Sequence, residues 1–310
     1  MTSESSICII DALKEGILSC FRERVIRDHT LDMEIRREDI RIYYRGGRIL
    51  YITAVTKGFK VDFDKNYFIK NEFDLPNGKV KNENDANEWV VTIPKLKQVM
   101  DLWLYHNPKE EREFQQLVVR ENNYSSIAKG TDYFVCDIEY FHNKNKSGQN
   151  PRFDLIAAHW PSTPAARKDN TNVGLAIIEI KYGEGAIGGA AGILKHIEDY
   201  EMFIKNNDML CAFKKEMENA FNNKRKLGLI DSCKKDIMSF NNEAPDLILM
   251  FANHDPAAKA LKDAINKVRS EKPNTIDKIK FATANYFGCG LYDNAIYALD
   301  DFEKLYLNRL

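Results

Sequence analysis

The chain has 310 residues, enough for one large domain or two ordinary ones. With 44% hydrophobic and 29% charged residues it has the composition of a globular protein, which excludes a fibrous or low-complexity chain. A net charge of -1 excludes a global positive field toward polyanions and leaves a local basic groove as the electrostatic route to one.

The six cysteines, Cys8, Cys20, Cys136, Cys211, Cys233 and Cys289, include no CxxC pair. A zinc or iron–sulfur site therefore has little support, and reduced thiols in a cytoplasmic protein are expected. The opening MTSESSICIIDALKEG lacks the basic and apolar regions of a signal peptide, so none is expected. No apolar run approaches the roughly 18 residues of a membrane span.

In chain order, residues 7 to 28 carry Ile9, Ile10, Leu13, Ile17, Cys20, Phe21 and Val25 at helical spacing and predict one amphipathic helix. IRIYYRGGRILYITAV then predicts a β-hairpin with Gly46-Gly47 as its two-residue turn. That register sets Arg45 opposite Arg48. A bound phosphate would reconcile the two charges, but two solvated arginines splayed at an open tip is the simpler reading. The polar stretch from 60 to 100 predicts a loop and a short strand at Glu88 to Ile93, with a domain boundary near residue 95. Leu96, Val99, Leu102 and Trp103, then Phe114, Leu117 and Val118, predict two helices over 95 to 122, parted by Pro108.

The pattern then sharpens. TDYFVCDIEYFH and RFDLIAAHW predict paired strands, and GLAIIEIKY a third, strongly apolar one. GEGAIGGAAG predicts a turn into the helix GILKHIEDYEMFIK, followed by helical and polar sequence to about 242. DLILMFAN predicts a fourth strand, residues 256 to 271 a helix, and KIKFATANYFGCG a fifth strand. Helix, three strands, helix, strand, helix, strand is the order of a mixed sheet flanked by helices.

In Ile177-Ile178-Glu179-Ile180-Lys181, strand alternation puts Glu179 and Lys181 on one face and Ile178 and Ile180 on the other. A strand this apolar is central, and a glutamate–lysine pair in it needs a purpose. Taken alone the pair reads as a salt bridge at a strand end. Asp154, one strand earlier, shifts the balance, because strand propensity disfavours aspartate. If the two strands are neighbours, Asp154 and Glu179 are able to share a cation.

A strand aspartate, a loop and a strand Glu-x-Lys in apolar surroundings resemble the PD-(D/E)XK nuclease superfamily, including its RecB-like members. The resemblance covers about residues 105 to 290. Phe153 stands where the motif's name has proline. The resemblance implies a restriction-endonuclease-like α/β fold over 96–310, preceded by a small α+β module over 1–95. It implies a metal-dependent nuclease in which Asp154 and Glu179 ligate Mg²⁺ or Mn²⁺, with the Ile180 carbonyl as third ligand. Lys181 would orient or activate water. The helix EEREFQQLVVREN resembles the family's first core helix and makes Glu113 a metal-proximal candidate, with Glu110 and Glu111 behind it. His196 and Tyr200, four apart on one helix face, resemble the Gln-x-x-x-Tyr element with His for Gln. The implied partner is nucleic acid, DNA before RNA, with a homodimer as a further candidate and no membrane.

Competing readings come from other classes. The domain could keep the fold as a non-catalytic nucleic-acid- or protein-binding module. Gly183-x-Gly185-x-x-Gly188 matches the dinucleotide fingerprint between a strand and a helix. Against that, charged residues occupy its strand, and no second strand ends in an acid about 20 residues on. Asp137 and Glu139 are expected on a shared, solvent-facing side of their strand. Pro245-Asp246 reads as a strand start. His29, His106, His142, His159 and His254 read as isolated, and no GxSxG is present.

Overall fold

The first stretch of helical spacing folds as two helices, α1 (Glu4–Lys14) and α2 (Ser19–Arg27), rather than one. Gly16 makes the break. A Cβ there would lie 2.8 Å from the Ala12 α-carbon, so only glycine lets the chain close back and bring Leu18 N–H to the Ala12 carbonyl at 3.0 Å. The structure is a computed structural model; it describes residues 4–36, 39–69, 73–124, 130–141, 152–188, 192–255, 259–284 and 288–307. The NKNKSGQNP tip and His142 lie outside them, as do residues 189–191 of the glycine-rich turn and the first three residues of the helix expected over 256 to 271.

Two units divide the chain. The first takes residues up to Gln116 together with Asn222–Asp231; the second takes Leu117–Phe221 and the chain from Ser232 onward. The dividing point thus falls at 116, inside a helix, where the sequence suggested a boundary near 95.

The first unit contains an antiparallel meander of β1 (Leu31–Ile35), β2 (Asp39–Tyr44), β3 (Gly47–Val55), β4 (Gly58–Asp62) and β5 (Lys79–Val80), in that spatial order. The β2–β3 hairpin forms as expected, but its turn is Arg45-Gly46, with φ of 48° and 71°. Both residues have positive φ, as a two-residue turn matching the strand twist requires. The shift corrects the expected register: Arg48 faces Tyr43, and Arg45 sits in the turn. Gly46 also needs to be glycine for room, since a Cβ would lie 2.3 Å from the Arg112 backbone.

The polar stretch departs most from expectation. In place of a loop and a strand at Glu88 to Ile93 stands α3 (Glu83–His106). Asn82 caps it by accepting from Asp85 N–H at 3.1 Å, and the Asp85 carboxylate accepts from Lys81 N–H at 2.8 Å. Trp89, Ile93, Leu96, Met100 and Leu104 are buried at helical spacing. Each such side chain contributes roughly 1.5–3 kcal/mol, so the five outweigh the ~3 kcal/mol cost of Pro94 inside the helix. Pro108 separates α3 from α4 (Glu110–Asn123), as expected. At the β1 edge Glu34 accepts from Lys224 Nζ at 2.7 Å, and both side chains are only 1% exposed.

The second unit is built on a six-stranded sheet in the order β11-β10-β9-β8-β7-β6. Its strands are β6 (Tyr133–Phe141), β7 (Arg152–His159), β8 (Gly174–Tyr182), β9 (Asp246–Ala252), β10 (Ile279–Ala284) and β11 (Ile296–Tyr297). β6, β7 and β8 run antiparallel; β8, β9 and β10 run parallel, joined through α5 (Ile193–Ile204), α6 (Asn207–Lys226) and α7 (Lys259–Glu271). The five strands expected here are all present. β11 and the short α8 (Leu299–Phe302) were not foreseen. β8 and β9 are buried almost end to end, which is why they read as continuous apolar runs. Phe153 packs edge-on against Phe203, and Phe203 against Phe213, with centroids 5.2 and 5.0 Å apart. These rings fix α5 and α6 to the sheet. Among the described residues no helix is long and apolar enough to cross a membrane.

Candidate active site

The β7–β8 ladder runs from His159↔Gly174 to Leu155↔Ile178 and stops there. Beyond it β8 continues to Tyr182, paired only with β9. The edge of β8 at Ile180 therefore has no strand partner, and a side chain replaces it. Asp154 Oδ2 accepts the Ile180 N–H at 2.8 Å. In an extended strand a residue's N–H and C=O leave on the same edge, so the Ile180 carbonyl faces the same opening.

Alternation sends Glu179 and Lys181 to one face of β8. Both are buried, at 0% and 4% exposure. They do not close on each other alone, because His196 from α5 stands with them. Its Nδ1 is 2.7 Å from Glu179 Oε2, and its Nε2 is 2.9 Å from Lys181 Nζ. An ammonium only donates, so with Lys181 as donor the Nε2 accepts and the ring proton is on Nδ1, on the side of Glu179 but without the geometry of a hydrogen bond to it. Lys181 then keeps two N–H donors for other oxygens. One turn after His196, buried Tyr200 donates to the Pro245 carbonyl at 2.7 Å, which anchors α5 to the start of β9.

Asp154 keeps partial solvent access although protein atoms crowd its carboxylate. Burial and the adjacent Glu179 charge push its carboxyl well above the usual range, against the opposing pull of Ile180 N–H, Lys181 and His196. Two carboxylates held together in a crowded site are a natural seat for a cation. Their oxygens and the Ile180 carbonyl form the hard donor set that Mg²⁺ or Mn²⁺ takes, and such ions usually use one or two protein carboxylates with water completing the shell. Among the described residues no three His, Cys, Asp or Glu side chains cluster as a metal cage, so the fit rests on these two carboxylates and the carbonyl.

Asp154, Glu179, Lys181 and His196 are thus brought together. Glu113 has a different engagement, in the first unit: Arg45 clasps it in a fork, Nε to Oε1 at 2.8 Å and Nη2 to Oε2 at 3.1 Å, while Nη1 holds Asp101 at 2.9 Å. Two other expectations need correction. Asp137 is 3% exposed rather than solvent-facing, because the strand bulges between Val135 and Asp137; Glu139 has φ of 50° and pairs with Arg152 at 2.8 Å. His159 is not isolated. It stacks on Tyr133 with centroids 4.3 Å apart and meets Asp293 at 2.7 Å, a partner too distant in sequence to be read from it. Asp246 opens β9 and pairs with Lys280 at 2.7 Å, as a strand-starting residue should.

The glycine turn opens with a short 3-10 turn at Glu184–Ala186, and α5 begins only at Ile193. Gly183 needs its φ of 70°, but a Cβ on Gly185 or Gly188 would meet nothing within 4 Å. The open space belongs to a cavity of about 380 Å³ between this turn and α7, with Asp263 and Lys267 on its wall. No family model, curated protein or solved structure matches the chain.

Proposed function

We propose that the second unit is a metal-dependent phosphodiesterase of the PD-(D/E)XK nuclease kind, acting on nucleic acid, with DNA the first substrate to try. The observation that carries this reading is the opening of the β7–β8 ladder, which gathers Asp154, Glu179, the Ile180 carbonyl and Lys181 at one strand end. A strand edge whose amide is held by a carboxylate in place of a neighbouring strand supports this reading.

Asp154, Glu179 and the Ile180 carbonyl would hold a divalent cation, which when bound offsets charge on the phosphoryl oxygens and acidifies water. The chain's own residues do the rest. Lys181, fixed by His196, points its two remaining N–H donors at the attacking water and at a phosphoryl oxygen, where charge builds in the transition state. His196 sets the orientation of Lys181 and stands 2.7 Å from Glu179, so it packs both groups into one arrangement. Hydrolysis adds a hydroxyl to phosphorus and a proton to the leaving sugar oxygen.

The test is a cleavage panel of supercoiled plasmid, linear duplex, single-stranded DNA and RNA, run with Mn²⁺, Mg²⁺ or EDTA. Metal-dependent cutting by wild type and its loss in Lys181→Ala are expected. No cutting on any substrate would shift the reading to a binding module that keeps the fold. A nucleotide-binding role has one observation in its favour, the cavity beside Gly185 and Gly188. A dinucleotide that raises the melting temperature, with no cutting, would establish it instead.

A further inference from the structure

The meander of the first unit has two unlike faces. Ile40, Ile42, Leu50 and Ile52 point inward and are fully buried. The opposite face carries Arg41, Tyr51, Lys60 and Lys79. On it Lys60 and Lys79 are direct partners in register, and both are exposed. Like charges directly opposite, Cβ atoms about 5 Å apart, destabilise a sheet. The clash suspected at Arg45 is resolved by Asp101 and Glu113. At Lys60 and Lys79 nothing plays that part: among the described residues neither ammonium makes an ion pair.

A bulge adds to the same face. The β2–β3 register passes from Ile42↔Leu50 to Tyr43↔Arg48, skipping Ile49. Arg48 is thereby turned to the side of Tyr51, three residues on. Its guanidinium lies 4.7 Å from the Tyr51 ring centroid, and that of Arg41 lies 5.7 Å away. On β2 to β5 four cations, Arg41, Arg48, Lys60 and Lys79, stand against two carboxylates, Asp39 and Asp62, and Asp39 is held by Arg41 at 2.9 Å; the carboxylates that β1 adds to this face, Asp32 and Glu34, are buried, Glu34 against Lys224. The row from β2 to β5 spans three strand spacings, on the order of 14 Å. Guanidiniums fixed on an aromatic ring, beside two unanswered ammoniums, suit a ribbon of phosphates.

We infer that this face binds the backbone of a nucleic-acid strand, with Arg48, Lys60 and Lys79 as phosphate contacts and Tyr51 as the plate that stiffens Arg48 and Arg41. The choice of nucleic acid among polyanions rests on the phosphodiesterase reading of Asp154, Glu179 and Lys181. The charge pattern itself does not.

The experiment is fluorescence anisotropy of a short labelled single-stranded DNA with the full chain in EDTA, across a salt series. It compares wild type, the double variant Lys60→Ala/Lys79→Ala and a charge-matched control, Lys14→Ala/Lys215→Ala. The double variant should bind at least about fivefold more weakly, and its log K against log salt slope should shrink by roughly 1.4, about 0.7 for each lost contact. It should melt no lower than wild type, since a repulsion has been removed. The control should bind as wild type does. Equal binding by the double variant, equal weakening in the control, or no binding by wild type overturns the surface. Metal-dependent cutting is measured alongside. If cutting survives while the double variant binds normally, the surface falls and the phosphodiesterase stands. If binding depends on Lys60 and Lys79 but nothing is ever cut, the surface stands and the phosphodiesterase falls.

Discussion

Each unit buries a glutamate and a lysine, and the two pairs behave differently. In the first, Glu34 and Lys224 meet directly at 2.7 Å and are 1% exposed. In the second, Glu179 and Lys181 are as deeply buried, but His196 stands between them, and a second carboxylate, Asp154, shares the place. The direct pair places one charge against its opposite. The distributed one holds two carboxylates against one ammonium, with a strand edge left unpaired. Burial of charge by itself does not mark a site; the excess of one sign, held where the backbone opens, does.

The comparison is broken most severely at Asp154. Asp154→Asn should lower metal-dependent cutting at least about 10³-fold, because it removes one of the two carboxylates that would hold the cation. The same variant should be more stable in EDTA at neutral pH. The Asp154 carboxyl is raised, so its contribution to stability is complete below the usual carboxylate range and lost as pH rises through the raised value. Asparagine removes that loss and can still accept the Ile180 N–H. A gain of ~1 kcal/mol would lift the melting temperature by roughly 2–4 °C. Full activity, or a lower melting point than wild type across pH, would defeat this account.

Lys224→Met should do the reverse. It leaves Glu34 buried without its ammonium and should cost roughly 3–5 kcal/mol by urea denaturation. Activity per folded molecule should not change. A cost below ~1 kcal/mol would show that the direct pair is not what holds the β1 edge.

His196→Ala should fall between them, with kcat down ~10–100-fold and KM little changed, because it loosens Lys181 and the Glu179 side chain without removing a ligand of the cation. A change in KM alone would make His196 a substrate contact instead. The smallest effect is expected at Asp28. Burial would raise its carboxyl, but hydrogen bonds from Lys97, Thr30 and Arg24 hold it well below the usual range. Its contribution is therefore present above the ordinary carboxylate range and lost as pH falls through the depressed value. Lys97→Met should cost about 1 kcal/mol or less after solvent screening, with the difference fading in acid. A penalty that persists unchanged at low pH would mean that Lys97 acts through packing.

What the sequence revealed follows from the range of the forces involved. Of the five strands expected in the second unit, β8 and β9 were the most legible, because burial on both faces writes them as nearly unbroken apolar runs. Asp154, Glu179 and Lys181 were legible because a charge in such a run is conspicuous. The β7–β8 opening was not, since it depends on where two strands part. The helix over Glu83–His106 was misread because Val90-Val91-Thr92-Ile93-Pro94 has strand-like local preferences, which long-range burial overrides. Its start was nonetheless signalled by Asn82 and Asp85 at capping spacing. The clasp of Arg45 on Glu113 left no trace, because nothing local joins residues 68 apart.

The bond from Ile180 N–H to Asp154 makes one backbone amide a built-in reporter. Most sheet amides donate to carbonyls, which do not titrate; this one donates to a carboxylate that does. In a proton–nitrogen correlation spectrum the Ile180 resonance should therefore travel with pH as Asp154 gains its proton, while the cross-peaks of its β8 neighbours move far less. Adding Mg²⁺ should move the same peak, so one resonance can be followed through both titrations.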